Sequence, residues 1–177
     1  MRALFVIVAA VLAGFVISPL LHADADCTPA AAAPPSTPDG ESWSDEQLAN
    51  ARTIITIGNE RRVPAEGQLI AVATALQESS LRNLKGGDRD SIGLFQQRPS
   101  QGWGTPRQLS DPAYQTHRFY DKLLRTRGWQ EMRYTEAAQS VQVSAYPEAY
   151  AKRVPAATRI ISKLSDPAPC SAEALAP

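Results

Sequence analysis

Residues 68–80 read Gln68-Leu69-Ile70-Ala71-Val72-Ala73-Thr74-Ala75-Leu76-Gln77-Glu78-Ser79-Ser80. Between Leu69 and Leu76 only Thr74 is polar, so a helix built from this stretch is apolar nearly all round and belongs in a core. It then ends on a carboxylate. An anion at a helix C-terminus opposes the macrodipole, and apolar surroundings penalise its charged form. Both effects raise the pKa of Glu78, the condition for a carboxyl group that holds a proton near neutral pH and can act as a general acid. Ala71, Thr74 and Ala75 share its side of the helical wheel, small residues that leave room for a ligand or a close neighbour.

Outward from this helix the chain keeps helical signals. Ser44-Asp45-Glu46-Gln47 fits a capping box opening a helix through about Ile57, with Gly58 as its stop. Pro64 opens the apolar helix, which runs to about Ser79. Asp111-Pro112 places an N-cap before a proline at the first helical position, and Ala113, Thr116, His117, Tyr120 and Leu124 follow at helical spacing. Thr135 caps a further helix through Val143. From Pro147 one or two more run to Leu164, with Pro155 breaking or restarting the last. The fold class is mainly α, with a helical domain over 43–165.

Residues 81–110 break the pattern, being rich in Gly, Asp, Ser, Pro and Gln. A long irregular stretch inside a helical domain is usually functional; a short hairpin at Lys85-Gly86-Gly87-Asp88 would suit it. This loop carries Asp88 and Asp90, then Ser91-Ile92-Gly93-Leu94-Phe95-Gln96-Gln97. Glu-Ser at a helix end followed by Ser-x-Gly-Leu-x-Gln resembles the signature of soluble lytic transglycosylases and goose-type lysozymes, and the chain is similar to exported actinobacterial proteins of this kind. The interval from Glu78 to Gln96 is also similar to that family's.

The resemblance implies a lysozyme-like fold and cleavage of peptidoglycan glycan strands between N-acetylmuramic acid and N-acetylglucosamine. It implies Glu78 as general acid and base, and Gln96 and the Gly93 backbone lining the groove. Ser79, Ser91, Gln97, Trp103 and Tyr146 join them as candidate substrate-binding residues. Asp88 or Asp90 would be a second carboxylate, whose distance from Glu78 separates hydrolysis from ring closure. Family members carry Ala-Tyr-Asn-Ala-Gly on a late helix, with the tyrosine facing the glutamate. Ser144-Ala145-Tyr146-Pro147 keeps only the Ala-Tyr pair.

Plainer readings exist for each. Glu78 alone is a solvated helix-end carboxylate with Arg82 as partner, and a chain without an acid role would be a non-catalytic peptidoglycan-binding or scaffold protein. Asp88 and Asp90 suit ordinary turns. Trp103, flanked by glycines, is either a sugar-stacking ring or a plug under its loop. Trp43 and Trp129 read as packing residues, Phe95 as an inward ring, and His117 as a core histidine on an apolar stripe. One mature-chain histidine and two distant cysteines give no zinc or thiol-catalysis pattern, and no cofactor is called for.

The 177 residues suit one domain, and 18 basic against 18 acidic residues argue against nucleic acid as the main partner. Arg2, the uncharged run from Ala3 to Leu21 and Ala23-Asp24-Ala25 read as a secretory signal over 1–25, or an uncleaved membrane anchor. Both place the chain outside the cytoplasm. Residues 26–42 form a Pro/Ala-rich linker, and 166–177 are a C-terminal tail. Cys27 and Cys170 stand at opposite ends of the mature chain. In an oxidising compartment they are expected to form one disulfide, worth up to about 4–5 kcal/mol by chain entropy.

Overall fold

The structure, a computed structural model, describes residues 42–142 and 147–165. The signal or anchor segment, the linker up to 41, Cys27, Cys170, Val143, Tyr146 and the tail lie outside the described residues. Within them the chain is mainly helical, with no strand. No described helix is long and apolar enough to cross a membrane.

Helix α1 spans Asp45–Glu60 and opens on the expected capping box, with Gln47 N–H donating to Ser44 Oγ and Ser44 N–H donating to Gln47 Oε1. It does not stop at Gly58. That glycine is buried inside the helix, where a Cβ would come within 2.8 Å of Gln68 Cγ and 3.0 Å of Tyr120 Oη. Its role is close helix packing rather than termination. The stop comes later, with Arg62 in the left-handed region at φ 54° and Val63 N–H reaching back to the Gly58 carbonyl.

Helix α2, Ala65–Ser79, buries every side chain from Ile70 to Leu76. Helices α4 (Pro112–Arg125), α5 (Tyr134–Gln142) and α6 (Val154–Ser165) surround it together with α1. Each fully buried Ile, Val or Leu contributes about 1.5–3 kcal/mol of hydrophobic stabilisation. A central all-apolar helix is therefore the natural nucleus of the packing. Asp111 caps α4 as expected, accepting from Ala113 N–H. Pro155 restarts the chain as expected, lying at the start of α6 after short 3₁₀ turns at Pro147–Ala149 and Ala151–Arg153.

Three expectations fail locally. The buried face of α4 is Gln115, Thr116, Phe119, Tyr120 and Leu123, so His117 is exposed and Leu124 lies 40% open. The stripe read from the sequence was rotated by about one position. Thr135 is buried in the first turn of α5 and is not its cap; Arg133 N–H is instead satisfied by the Glu136 carboxylate. No hairpin forms at Lys85–Asp88. The antiparallel pairing is a single bridge between Ile92 and Gln97, and residues 99–109 hold a 3₁₀ turn and the short helix α3 (Pro106–Leu109).

The exit from α2 is strained. Ser80 and Leu81 are consecutive non-glycine residues at φ 53° and 59°, a conformation costing roughly 1–2 kcal/mol per residue. Leu81 is fully buried, and its carbonyl accepts from Asn50 Nδ2 at 2.8 Å. Ser80 is exposed, and its bonds are made by its backbone: the N–H donates to the Leu76 carbonyl and the carbonyl accepts from Gln47 Nε2. Ser80→Gly should therefore stabilise the fold by about 1 kcal/mol. The check is a chemical-denaturation midpoint; a lower midpoint would show that the bend is not strained.

Candidate active site

Glu78 lies half-buried in the last turn of α2, a turn with no basic residue. Arg82 is exposed and forms no ion pair with it. Instead Tyr150, itself 1% exposed, donates from its hydroxyl to Glu78 Oε1 at 2.7 Å. The amide of Gln142, at the end of α5, also hydrogen-bonds the carboxylate, and its Nε2 donates to the Phe95 carbonyl at 2.6 Å. Burial dominates and raises the pKa of Glu78, while the bonds from Tyr150 and Gln142 pull it part of the way back. The result is a carboxyl group that holds its proton more tightly than an ordinary glutamate, with the Tyr150 hydroxyl bonded to Oε1 and the Gln142 amide interacting with it.

Tyr150→Phe removes one of those donors. The Glu78 pKa should then rise further, moving its carboxyl resonance in a ¹³C titration to a higher midpoint. An unchanged midpoint would mean that the hydroxyl does not stabilise the ionised form.

The loop motif is built onto this helix end. Ser79 is buried, and its hydroxyl donates to the Ala75 carbonyl at 3.1 Å and the Leu94 carbonyl at 2.7 Å. Its role here is to tie the helix to the loop rather than to face a ligand. Ser91 is likewise buried and donates to the Asp88 carbonyl. Gly93 sits at φ 78°, where an added Cβ would overlap the Gln115 side-chain amide and lie 2.6 Å from the Leu109 carbonyl. Gln96 adopts φ 48° and donates from Nε2 to the Gly93 carbonyl. It is partly exposed and lies over Gly87, where a Cβ would collide with its Oε1.

Gln115 fixes the loop from below. It is fully buried in α4, accepts from Phe95 N–H at 2.9 Å and donates to the Leu109 carbonyl at 2.7 Å. Phe95 points inward as expected and stacks on Phe119 with ring centroids 4.7 Å apart.

Other candidates are placed differently from the expectation. Gln97 is 1% exposed and donates to the Gln115 backbone carbonyl, so it belongs to the core. Trp103 is buried, with Lys122 Nζ 4.6 Å above its ring, which makes it the plug of its loop. Lys122 also donates to the Val141 carbonyl, joining that loop to the end of α5. Asp90 is committed structurally: it accepts from Arg98 Nε at 2.7 Å and from the backbone and hydroxyl of Ser100. The Ser100 N–H, then Arg98 and the Ser100 hydroxyl, hold its carboxyl well below the usual range. Asp88 is 93% exposed and faces Arg89 at 3.9 Å. Among the described residues, the side chains bonded to Glu78 are thus Tyr150 and Gln142, not an aspartate.

Tyr146 lies outside the described residues. Among the described residues the tyrosine that meets Glu78 is Tyr150, and its signal was present: Ala149-Tyr150-Ala151 is a second Ala-Tyr pair four residues further on. Gln142 and Gln115 carry no local signal, since each acts through contacts distant in sequence. Trp129 is buried and Trp43 packs against the core, as expected. Among the described residues no three His, Cys, Asp or Glu side chains gather as a metal cluster would require.

No protein-family profile matches the chain, and a search of curated proteins finds no match.

Proposed function

We propose that the protein is an exported, lysozyme-like enzyme that cleaves peptidoglycan glycan strands between N-acetylmuramic acid and N-acetylglucosamine. The observation that carries this reading is the half-buried Glu78, biased toward protonation and held by Tyr150 at 2.7 Å beside the Gly93–Gln96 turn. In the proposed reaction Glu78 gives its proton to the glycosidic oxygen as the C1–O4 bond breaks. The muramyl C6 hydroxyl then attacks C1, and its proton passes to the Glu78 carboxylate. The products are a 1,6-anhydromuramyl end and a free 4-hydroxyl.

Ring closure is favoured over hydrolysis by what surrounds Glu78. An inverting hydrolase needs a second carboxylate to activate water, and a retaining one needs it as nucleophile. Asp90 is locked by Arg98 and Ser100, and Asp88 points to solvent. An internal hydroxyl nucleophile removes the need for either. Gln96, partly exposed where Gln97 is in the core, supports this reading as the motif glutamine left to meet a sugar.

Digestion of purified peptidoglycan, with mass spectrometry of the released fragments, tests the proposal. Anhydromuramyl ends are expected. Reducing muramyl ends would replace ring closure by attack of water, and no release at all would leave a binding or scaffold protein.

A further inference from the structure

Apart from Leu124, Tyr134 is the only large hydrophobic side chain exposed among the described residues, at 39%. It stands at the first position of α5, and three adjoining depressions share it as a wall. One is floored by Leu69 of α2 and Ile161 of α6 and edged by Thr158 and Ser162. A second runs past Glu66 and Gln130 over Met132. The third lies against Val154 and Pro155. The same ring thus borders a branched trough with an apolar floor and a polar rim. Arg133 lines two of the three depressions, its guanidinium held by Glu136 at 2.8 Å.

The first two depressions are not the Glu78 site: both are lined by Glu66, twelve residues from Glu78 on α2, a separation of about 18 Å at 1.5 Å per residue. The third, lined also by Glu148 and Ala151, comes nearer, to either side of Tyr150. The trough's chemistry suits a carbohydrate. A pyranose ring has an apolar C–H face that stacks on an aromatic ring and an edge of hydroxyls for planar polar groups such as carboxylate, amide and guanidinium. A stable protein interface buries about 800 Å² per partner around a cluster of anchors. One exposed aromatic, with scattered polar groups at Glu66, Gln130, Arg133, Thr158 and Ser162, falls short of that.

We propose that the Tyr134 trough is a second glycan-binding site, a platform that retains the protein on polymeric cell-wall glycan at a distance from Glu78. The choice of glycan as occupant rests on the proposed function; the trough itself does not.

The test uses the full chain carrying Glu78→Gln, so that bound strands persist. Co-sedimentation with insoluble peptidoglycan gives the apparent Kd, and titration with soluble β-1,4-linked N-acetylglucosamine oligomers, followed by amide NMR, locates the contact. Adding Tyr134→Ala should weaken retention at least about fivefold, whereas Tyr134→Phe, which keeps the ring, should restore it. Thr158→Arg, on an exposed face of α6, should fill one depression and weaken retention without touching Tyr134. Oligomers should shift the amides of Tyr134, Leu69 and Ile161. Undiminished retention in both Tyr134→Ala and Thr158→Arg would overturn the proposal and leave the trough to a protein partner; shifts confined to the Glu78 neighbourhood would overturn it too. If the wild type cleaves nothing while ring-dependent retention persists, the catalytic reading fails and the platform stands.

Discussion

Glu78→Gln should lower glycan-strand cleavage by about 10²–10⁴-fold, the usual worth of a positioned general acid, and at the same time stabilise the fold at neutral pH. The two effects have one origin. Burial raises the pKa of Glu78, so the folded state binds its proton more tightly than the unfolded chain does. The protonated carboxyl therefore contributes fully below the ordinary glutamate range, and that contribution is lost as pH rises through the raised folded value. A glutamine keeps the shape and an acceptor for the Tyr150 hydroxyl but never ionises. Wild type and variant should have similar denaturation midpoints in acid and diverge as pH rises, with the variant gaining about 0.5–2 kcal/mol at neutrality, typical of relieving a functional site. Retained activity would end the acid assignment. Parallel stability curves at every pH would show that the carboxyl group carries no desolvation penalty.

The second large effect belongs to the loop. Gly93→Ala should cost about 3–5 kcal/mol, a substantial fraction of the 5–15 kcal/mol that holds a domain together. One part is conformational: alanine at φ 78° costs roughly 1–2 kcal/mol. The remainder arises because the new methyl group would occupy the space of the Gln115 amide. Driving that amide away strands the Phe95 N–H and the Leu109 carbonyl, each a buried group whose lost partner costs about 1–3 kcal/mol. The origin can be checked by a double-mutant cycle. In a Gln115→Ala background the overlap with the amide and its bonds are already gone and only the Leu109 carbonyl still crowds the methyl, so Gly93→Ala should cost at least about 1 kcal/mol less. Additive costs would show that backbone conformation and the Leu109 carbonyl, not the Gln115 amide, make this glycine necessary.

The legible parts of the molecule were those written in short spans of sequence. The capping box at Ser44, the apolar run of α2 and Asp111-Pro112 each declare a helix through neighbours three or four residues apart, and each helix formed there. Glu78 was legible for the same reason, since the run that buries it precedes it directly. Long-range placement was not. Gly58 resembles a stop when only its own segment is considered, and its need for close approach to Gln68 and Tyr120 exists only after three helices have met. Gln97 and Ser79 read as polar groups available to a ligand, but their partners lie in the Gln115 backbone and at Leu94. Tyr150 was passed over because two Ala-Tyr pairs stand four residues apart in that segment, and the sequence does not say which of them turns toward Glu78. The His117 error came from a stripe that permits a one-position rotation when its flanking residues are all moderately amphipathic.

Gln115 also couples the motif turn to the helix beneath it. Its side chain hydrogen-bonds the Phe95 backbone directly, and Phe95 stacks on Phe119 of the same helix. The Gly93–Gln96 turn is thus fastened from three helices at once: Gln115 of α4 holds the Phe95 N–H, Gln142 of α5 the Phe95 carbonyl and Ser79 of α2 the Leu94 carbonyl. Displacing any one of these helices pulls on a turn that the other two still hold. A stretch with a loop backbone is thereby built into the core, and strain on any of the three helices is felt at the turn beside Glu78.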